Sequence, residues 1–333
     1  MKGCVYVSTK SEVSRIGVLT SGGDAPGMNA VIRAVTRTAI HHGISVLGIK
    51  RGYNGLIHGD VVELNAQAVN GLITRGGTML YTARCPEFHT EEGLTKAADT
   101  IKYLGIDGLI AVGGDGTFRG ALDISRYGVN VVGVPCTIDN DIGCSNYTIG
   151  FDTASNTAME AIDKLRDTMQ SHERCSIVEV MGRKAGHLAL YVGIAVGATA
   201  VLVPELPVNF EKDVAEKIRR GRIRGRAHHL IIVSEGVAGI SELGEKIKES
   251  TGIDPRITIL GHVQRGGSPT ARDRVTGSRM GEMAVKTLIE GHQNRLIIMR
   301  GGDMCDIDMK EGLEIKKGLH TSMLEAAYVL TQG

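Results

Sequence analysis

No tryptophan occurs in this chain of 333 residues, and aromatics together make up only 4% of it. A surface so poor in rings offers no platform on which bases could stack. An excess of one charge is also missing. The net charge is +1, so no global field draws the chain to nucleic acid or to an anionic membrane. A polyanion site must therefore be a local cluster of Arg and Lys. The six cysteines, at 4, 85, 136, 144, 175 and 305, form no CxxC pair and no zinc spacing. Reduced thiols in a cytoplasmic protein are the simplest reading. There is no GxGxxG and no Gly-Lys dipeptide, so neither a dinucleotide fingerprint nor a Walker A loop is present. Met1 to Glu12 is short and polar and reads as no export signal. Ala185 to Pro204 carries no formal charge, yet Gly186, His187, Gly193 and Gly197 interrupt it and a proline ends it. That pattern predicts a buried helix and a buried strand, not a membrane span.

Hydrophobic residues at 42% and charged residues at 23% are the proportions of a soluble globular protein. The length suggests two domains. Glycine is abundant at 45 residues, and most glycines follow apolar runs, as at strand-to-helix turns. Strands are predicted at Arg15–Leu19, Ser45–Ile49, Leu109–Val112 and Val129–Val134, with helices at Gly27–His41, Thr95–Leu104 and Arg119–Ser125. The second half predicts strands at Ser176–Val180, Ala200–Val203 and Leu230–Val233. Its helices are expected at Thr153–Met169, Lys212–Arg222, Glu242–Glu249 and Pro269–Glu290. Apolar strands alternating with helices imply an α/β fold with a parallel sheet covered on both faces. No linker or short repeat marks a domain boundary.

The run Pro135-Cys136-Thr137-Ile138-Asp139-Asn140-Asp141 leaves an apolar strand and presents two carboxylates within three residues. Carboxylates so close repel unless a cation or proton is shared between them. A loop off a strand end is a usual place for a general base or a metal site. Turns favour Asp and Asn in any case, and the run alone leaves both readings open. Two glycine turns also follow strands, Thr20-Ser21-Gly22-Gly23-Asp24 and Gly113-Gly114-Asp115-Gly116-Thr117. Missing side chains let backbone N–H groups approach an anion at a helix N-terminus. An Asp within such a loop repels phosphate unless Mg²⁺ lies between them, so Asp115 implies a Mg-nucleotide. Arg84, Arg174, Arg183, Arg256, His262 and Arg265 fall at loop or strand ends. For most of them a solvated surface charge is the plain reading. Arg265 differs, because it sits in Gly261-His262-Val263-Gln264-Arg265-Gly266-Gly267-Ser268-Pro269.

These segments together resemble the bacterial type of the ATP-dependent 6-phosphofructokinase family, from about Arg15 to the C-terminus. The signatures are Thr20 to Asn29, Gly113 to Thr117, Thr137 to Asp141, Glu179 to Arg183, and Gly261 to Pro269. Gly-Gly-Asp-Gly alone is shared with other kinases, but all five in this order are specific. The resemblance implies two Rossmann-like, three-layer α/β domains with mostly parallel sheets and the active site in the cleft between them. The larger, nucleotide-binding domain would comprise 1–150 plus 264–314. The smaller, sugar-phosphate-binding domain would comprise 151–263 plus 315–333. It also implies a cytoplasmic homotetramer with active sites shared between subunits, and no nucleic-acid or membrane partner.

The implied reaction moves the γ-phosphoryl of MgATP to the 1-hydroxyl of fructose 6-phosphate. By motif, Asp139 would be the general base, Asp141 its support, and Thr137 a contact to the transferring group. Arg84 and Arg183 would offset the charge on that group. Asp115 would hold Mg²⁺. Gly23, Tyr53, Arg84, Cys85, Gly114, Gly116, Thr117 and Gly120 would line the nucleotide site. Met181, Gly182, Glu235, His262 and Arg265 would hold the sugar phosphate. Arg174 and Arg256 would reach the 6-phosphate from a neighbouring subunit.

Departures from the pattern accompany the match. Pyrophosphate-using relatives often carry Asp where Gly116 stands and Lys where Cys136 stands, while ATP users usually have Gly at the latter position. Gly116 favours ATP, and Cys136 supplies no fixed positive charge for pyrophosphate. Cys85 replaces a usual aromatic, and Leu94 a usual Arg near the nucleotide. An effector site for ADP or phosphoenolpyruvate is matched by Arg33, Arg37, Arg166, Arg224 and Arg226. Its acid becomes Thr199, and two of its basic residues become Ala66 and Ala227. The competing readings are a pyrophosphate-dependent enzyme, an NAD kinase, and a catalytically silent regulatory subunit that binds sugar phosphate. The last would need a lost base or metal ligand, and Asp115, Asp139 and Asp141 are all present.

Overall fold

The computed structural model describes residues 13–172 and 174–331. Met1 to Glu12, including Cys4, lies outside the described residues. The chain divides into two compact units: 1–136, 142–146 and 271–316 make the first, and 137–141, 147–270 and 317–333 the second.

The first unit opens with β1 (Arg15–Thr20), α1 (Met28–His41), β2 (Ser45–Ile49), α2 (Tyr53–His58) and β3 (Val61–Leu64). It continues through α3 (Glu91–Tyr103), β4 (Gly108–Gly113), α4 (Asp115–Ser125) and β5 (Asn130–Pro135). Each expected strand and helix of this stretch is found, with ends displaced by a few residues. β4 is buried at every position, as a strand covered on both faces must be. Helix α3 starts at Thr90, whose side chain accepts a hydrogen bond from Gly93 N, and its first turn is acidic. Both features satisfy or complement the free N–H groups of a helix start.

The second unit contains α5 (Phe151–His172), β6 (Cys175–Val180), α6 (His187–Ala195), β7 (Ala200–Leu202), α7 (Glu216–Ile223), β8 (His229–Ser234), α8 (Ile240–Thr251) and β9 (Arg256–Ile259). The uncharged stretch is the expected buried helix and strand, α6 and β7. Among the described residues no helix is long and apolar enough to cross a membrane. The helix expected from Lys212 begins with a π-wound turn, Glu211–Ala215, before α7. A 3-10 turn, Gly261–Arg265, follows β9.

The chain then returns to the first unit with α9 (Ala271–Ile289), β10 (Arg295–Arg300), β11 (Asp303–Asp308) and α10 (Met309–Glu314). It ends in the second unit with α11 (Thr321–Leu330). The first unit's sheet has seven strands in the order β11-β10-β5-β4-β1-β2-β3, and the second unit's has four in the order β7-β8-β6-β9. All pairs are parallel except the two edge pairs of the larger sheet, β2 with β3 and β10 with β11. The parallel-sheet expectation thus holds inside the sheet and fails at both edges. At one edge the reason is local. Gly301 and Gly302, with φ of 60° and 95°, close a two-residue hairpin, which joins antiparallel neighbours. The core of the first unit gathers Leu19, Ile49, Leu109, Phe118, Val131 and Leu296. That of the second gathers Cys175, Ile177, Leu202, Ile218, Ile231 and Ile247.

Four stretches fall on the other side of the expected boundaries, residues 137–141, 147–150 and 264–270 passing to the second unit and residues 315–316 to the first. Thr137–Asp141 was expected in the larger domain but belongs to the second unit. There the Thr148 hydroxyl donates to the Thr137 carbonyl at 2.7 Å. Residues 264–270 also belong to the second unit, where Gln264 Oε1 accepts from Met181 N at 2.9 Å.

Candidate active site

The loop Thr137–Asp141 is built by the second unit. Its parallel strands deliver their C-terminal ends to one side of the sheet. Met181, Gly182 and Arg183 follow β6, Glu235 follows β8, and His262 and Arg265 lie in the turn after β9. Glu235 ties two of these ends together. One of its oxygens, Oε1, accepts from Gly182 N at 3.0 Å and from Arg183 N at 2.6 Å. Gly182 and Arg183 both have positive φ, 142° and 54°. The bend this produces brings Arg183 Nε to 3.3 Å from Asp139 Oδ2.

Asp139 is only 1% exposed, while the Arg183 side chain is 61% exposed. The other carboxylate oxygen, Oδ1, is buried without a hydrogen-bond partner. Burial raises the Asp139 pKa from 3.8 to about 6, and the nearby Asp141 adds to the rise. Arg183 and Arg265 oppose it, and Glu235 raises it slightly further. A carboxylate so placed is ionised at neutral pH yet basic enough to take a proton. Glu179 is shifted in the same direction, by burial and then by Glu235.

Arg174 and Arg256 stand elsewhere. Arg174 precedes β6, Arg256 opens β9, and these adjacent parallel strands pair Ser176 with Arg256. Both arginines therefore lie at the N-terminal end of the small sheet, while Met181 to Arg183 leave its C-terminal end. At about 3.3 Å per residue, the length of β6 separates them from Asp139 of the same chain.

The glycine turns are built by the first unit. Ser21 N donates to the Val112 carbonyl at 3.0 Å and Cys136 N to the Gly113 carbonyl at 2.9 Å, so the exits of β1, β4 and β5 are laced together. A side chain on Gly113 would overlap the Ser21 carbonyl and Thr117 Oγ1. That close approach explains the glycine. Thr117 Oγ1 is buried and has no hydrogen-bond partner, although buried hydroxyls normally find one. Over Gly116 there is open space. Asp115 opens α4 and is about half exposed, paired with Arg119 Nε at 2.8 Å one helical turn on. Sequence reasoning missed Arg119, although its i,i+4 spacing from Asp115 was a usable signal.

Two residues expected near the nucleotide, Tyr53 and Gly120, are packed behind this loop. Tyr53 is 5% exposed, stacks on Phe88 at 4.0 Å between ring centroids, and donates to the Thr117 carbonyl. Gly120 leaves the room that the Tyr53 ring fills, since an added Cβ would come 2.8 Å from it. Leu94 is part of the core. Tyr53 and Gly120 shape the loop from within. Gly23, Gly114 and Cys85 are partly exposed, and Arg84 is exposed.

With the two sites described, the chain can be set beside known proteins. The phosphofructokinase family model matches residues 15–288. The chain belongs to the phosphofructokinase family. It is 51% identical over 317 residues to a protein of Clostridium botulinum strain Loch Maree named ATP-dependent 6-phosphofructokinase, covering 95% of this chain and 99% of that one. A Clostridium acetobutylicum protein of the same name is 53% identical over the same lengths. Among solved structures, phosphofructokinase from Saccharomyces cerevisiae superposes with a TM-score of 0.87 at 34% identity over 96% of this chain. The present chain spans 48% of that yeast chain. A pyrophosphate-dependent phosphofructokinase from Marinobacter aquaeolei has a TM-score of 0.81 at 21% identity over 96% of this chain and 92% of that one. It shares the fold.

In this chain the residue that precedes the loop Thr137–Asp141 is fully enclosed. Cys136 is 1% exposed, and burial, followed by Asp273, pushes its thiol well above the ordinary value. The thiol is therefore neutral. Of the effector candidates, Arg33 and Arg37 lie one turn apart on α1 in the first unit. The Arg33 pKa is lowered, by burial and then by Arg37. In the second unit Arg166 donates to the Val196 carbonyl. Burial, then Arg166 and Arg226, hold His228 below its usual pKa. Arg224 follows α7. The neighbouring His229 is 1% exposed, and both of its ring nitrogens lack a partner.

Proposed function

We infer that this chain is an ATP-dependent 6-phosphofructokinase, with Asp139 as the base that takes the proton of the fructose 6-phosphate 1-hydroxyl. The observation that carries the reading is the buried Asp139 carboxylate. Its pKa is lifted to about 6, and Arg183 lies at its edge. The names borne by relatives at 51% and 53% identity support it.

Phosphoryl transfer asks the protein mainly for positioning and for compensation of charge. Thr137 contacts the moving group, Asp141 supports the base, and Arg84 and Arg183 offset the developing charge. Met181, Gly182, Glu235, His262 and Arg265 hold the sugar. Gly23, Gly114, Gly116, Thr117 and Cys85 line the nucleotide site, with Tyr53 and Gly120 supporting them from behind. The neutral Cys136 thiol and the open space over Gly116 favour a nucleoside triphosphate over pyrophosphate.

The residues fit Mg²⁺ bound with the nucleotide. Among the described residues no cluster of three His, Cys, Asp or Glu side chains could hold a metal ion, and Asp115 stands single at the glycine loop. One carboxylate with waters and substrate phosphates is the usual magnesium arrangement. The ion would neutralise charge on the phosphates. The orphaned Thr117 hydroxyl provides a donor or acceptor beside it.

Arg174 and Arg256, at the far end of the small sheet, serve the 6-phosphate bound by a neighbouring subunit of a cytoplasmic homotetramer. Arg33, Arg37, Arg166, Arg224 and Arg226 form an effector site for an anion, with Thr199 in place of an acid. A coupled assay at saturating fructose 6-phosphate tests the donor assignment. Turnover with ATP and little with pyrophosphate is expected, and turnover with pyrophosphate alone would overturn it.

A further inference from the structure

Asn140 separates the two carboxylates of the base loop and has no part in the reading above. Its φ is 49°, a left-handed conformation that non-glycine residues adopt sparingly and Asn tolerates best. Such conformations persist only where the surroundings hold them. The Asn140 side chain is held. It is 8% exposed, and its Oδ1 accepts from Lys317 Nζ at 2.9 Å. Thr148 Oγ1 is 3.4 Å from the same oxygen but 2.7 Å from the Thr137 carbonyl. Its single proton goes to the nearer acceptor. The ammonium of Lys317 is therefore the strong donor to Asn140, and a charged donor makes the firmer bond. Lys317 is 177 residues away in sequence, in the segment between α10 and α11.

We propose that Lys317 is a positioning residue for the phosphoryl-transfer reaction: by gripping the Asn140 carboxamide it holds the left-handed turn that sets the direction of Asp139. The proposal rests on the reading of Asp139 as the base. Without the grip, Asn140 is free to relax towards negative φ, which re-aims the carboxylate on one side of it. Arg174, Arg256, His262 and Arg265 lie on other segments and are untouched. The loss therefore falls on kcat and not on KM. A displacement of about 1 Å in a reacting group can cost on the order of 10²-fold in rate.

The test is a double-mutant cycle on the full chain, with Lys317→Met, Asn140→Ala and the pair. Each single change is expected to lower kcat by about 10- to 100-fold, with KM for fructose 6-phosphate within about threefold. Because both act through one contact, the pair should be little worse than either alone. Lys317→Arg keeps a charged donor and should recover much of the loss. It also serves if the methionine variant does not fold, because an arginine variant weaker than Lys317→Gln would then count against the proposal. A Lys317→Met enzyme with kcat within twofold of the parent overturns it, as do losses that multiply in the pair. Asp139→Asn is measured in parallel. If that variant keeps its turnover, the base reading fails. If it is inactive while Lys317→Met is normal, only the positioning role fails.

Discussion

Asp139→Asn should make this protein more stable at alkaline pH while removing most of its activity. In the native chain the Asp139 pKa is raised from 3.8 to about 6. Below about pH 4 the folded and unfolded states both hold the proton, and the residue adds no penalty. Between about pH 4 and 6 the unfolded chain gives up the proton and the folded one keeps it, so stability falls as pH rises. Above about pH 6 the folded chain must carry a buried charge. A displacement of about two pH units, at about 1.36 kcal/mol each, gives a penalty of about 3 kcal/mol. Asparagine keeps the shape and removes the charge. It also gives up the contact to Arg183, whose side chain is mostly in water and so adds little.

Urea unfolding of both proteins without substrates, at intervals from pH 4.5 to 8, measures the difference. The variant should be ahead by about 2–3 kcal/mol at pH 8, with the gap closing as pH falls. A variant no more stable than the parent at pH 8, or a gap independent of pH, would refute the burial argument. Turnover should fall by about 10²- to 10⁴-fold, and in the parent it should decline as pH drops through the Asp139 pKa. Stability and activity then pull in opposite directions at one residue, as active sites commonly require.

Arg256→Ala should raise KM for fructose 6-phosphate by about 10- to 100-fold, the worth of a charge-assisted phosphate contact. KM for ATP should stay within about twofold in initial-rate assays, and equal rises in both would contradict the phosphate role. Gly116→Asp meets open space and should fold normally. A carboxylate facing the nucleotide should lower kcat/KM for ATP by about 10²-fold or more, and an unchanged value would remove Gly116 from the site. Gly113→Ala would push a methyl group into the Ser21 carbonyl and Thr117 Oγ1. A loss of about 1–3 kcal/mol in urea unfolding is expected, and no loss would mean the loop is looser than its packing implies.

Most strands and helices could be read from the sequence, because hydrophobic period and glycine turns are local signals. Four strands were passed over: β3 and β10, although the Leu296-Ile297-Ile298-Met299 run of β10 was a readable signal, and two whose pattern is weak. β9 is exposed at three of its four positions, and β11 carries three aspartates in six residues. Neither shows the apolar run of a central strand. The loop Thr137–Asp141 and the glycine turns were also legible as loops at strand ends, since the apolar runs and glycines that mark them are consecutive in sequence. Tyr53 and Gly120 were placed at the nucleotide by resemblance, whereas both are buried and packed against one another beneath the glycine loop.

The sequence by itself determined the fold class, the family and the kinds of chemical group at each loop, because motif order and short-range pattern carry that information. Only the tertiary structure decided what the groups do to one another. The basicity of Asp139 arises from its burial and from Asp141, and it is held back by Arg183 and Arg265, which lie far from it along the chain. The separation of Arg174 and Arg256 from the base follows from their place at the opposite end of parallel strands. The grip of Lys317 on Asn140 closes 177 residues of chain, a contact that no local pattern announces. Burial and long-range contact belong to the folded chain as a whole, and so they appear only once it is folded.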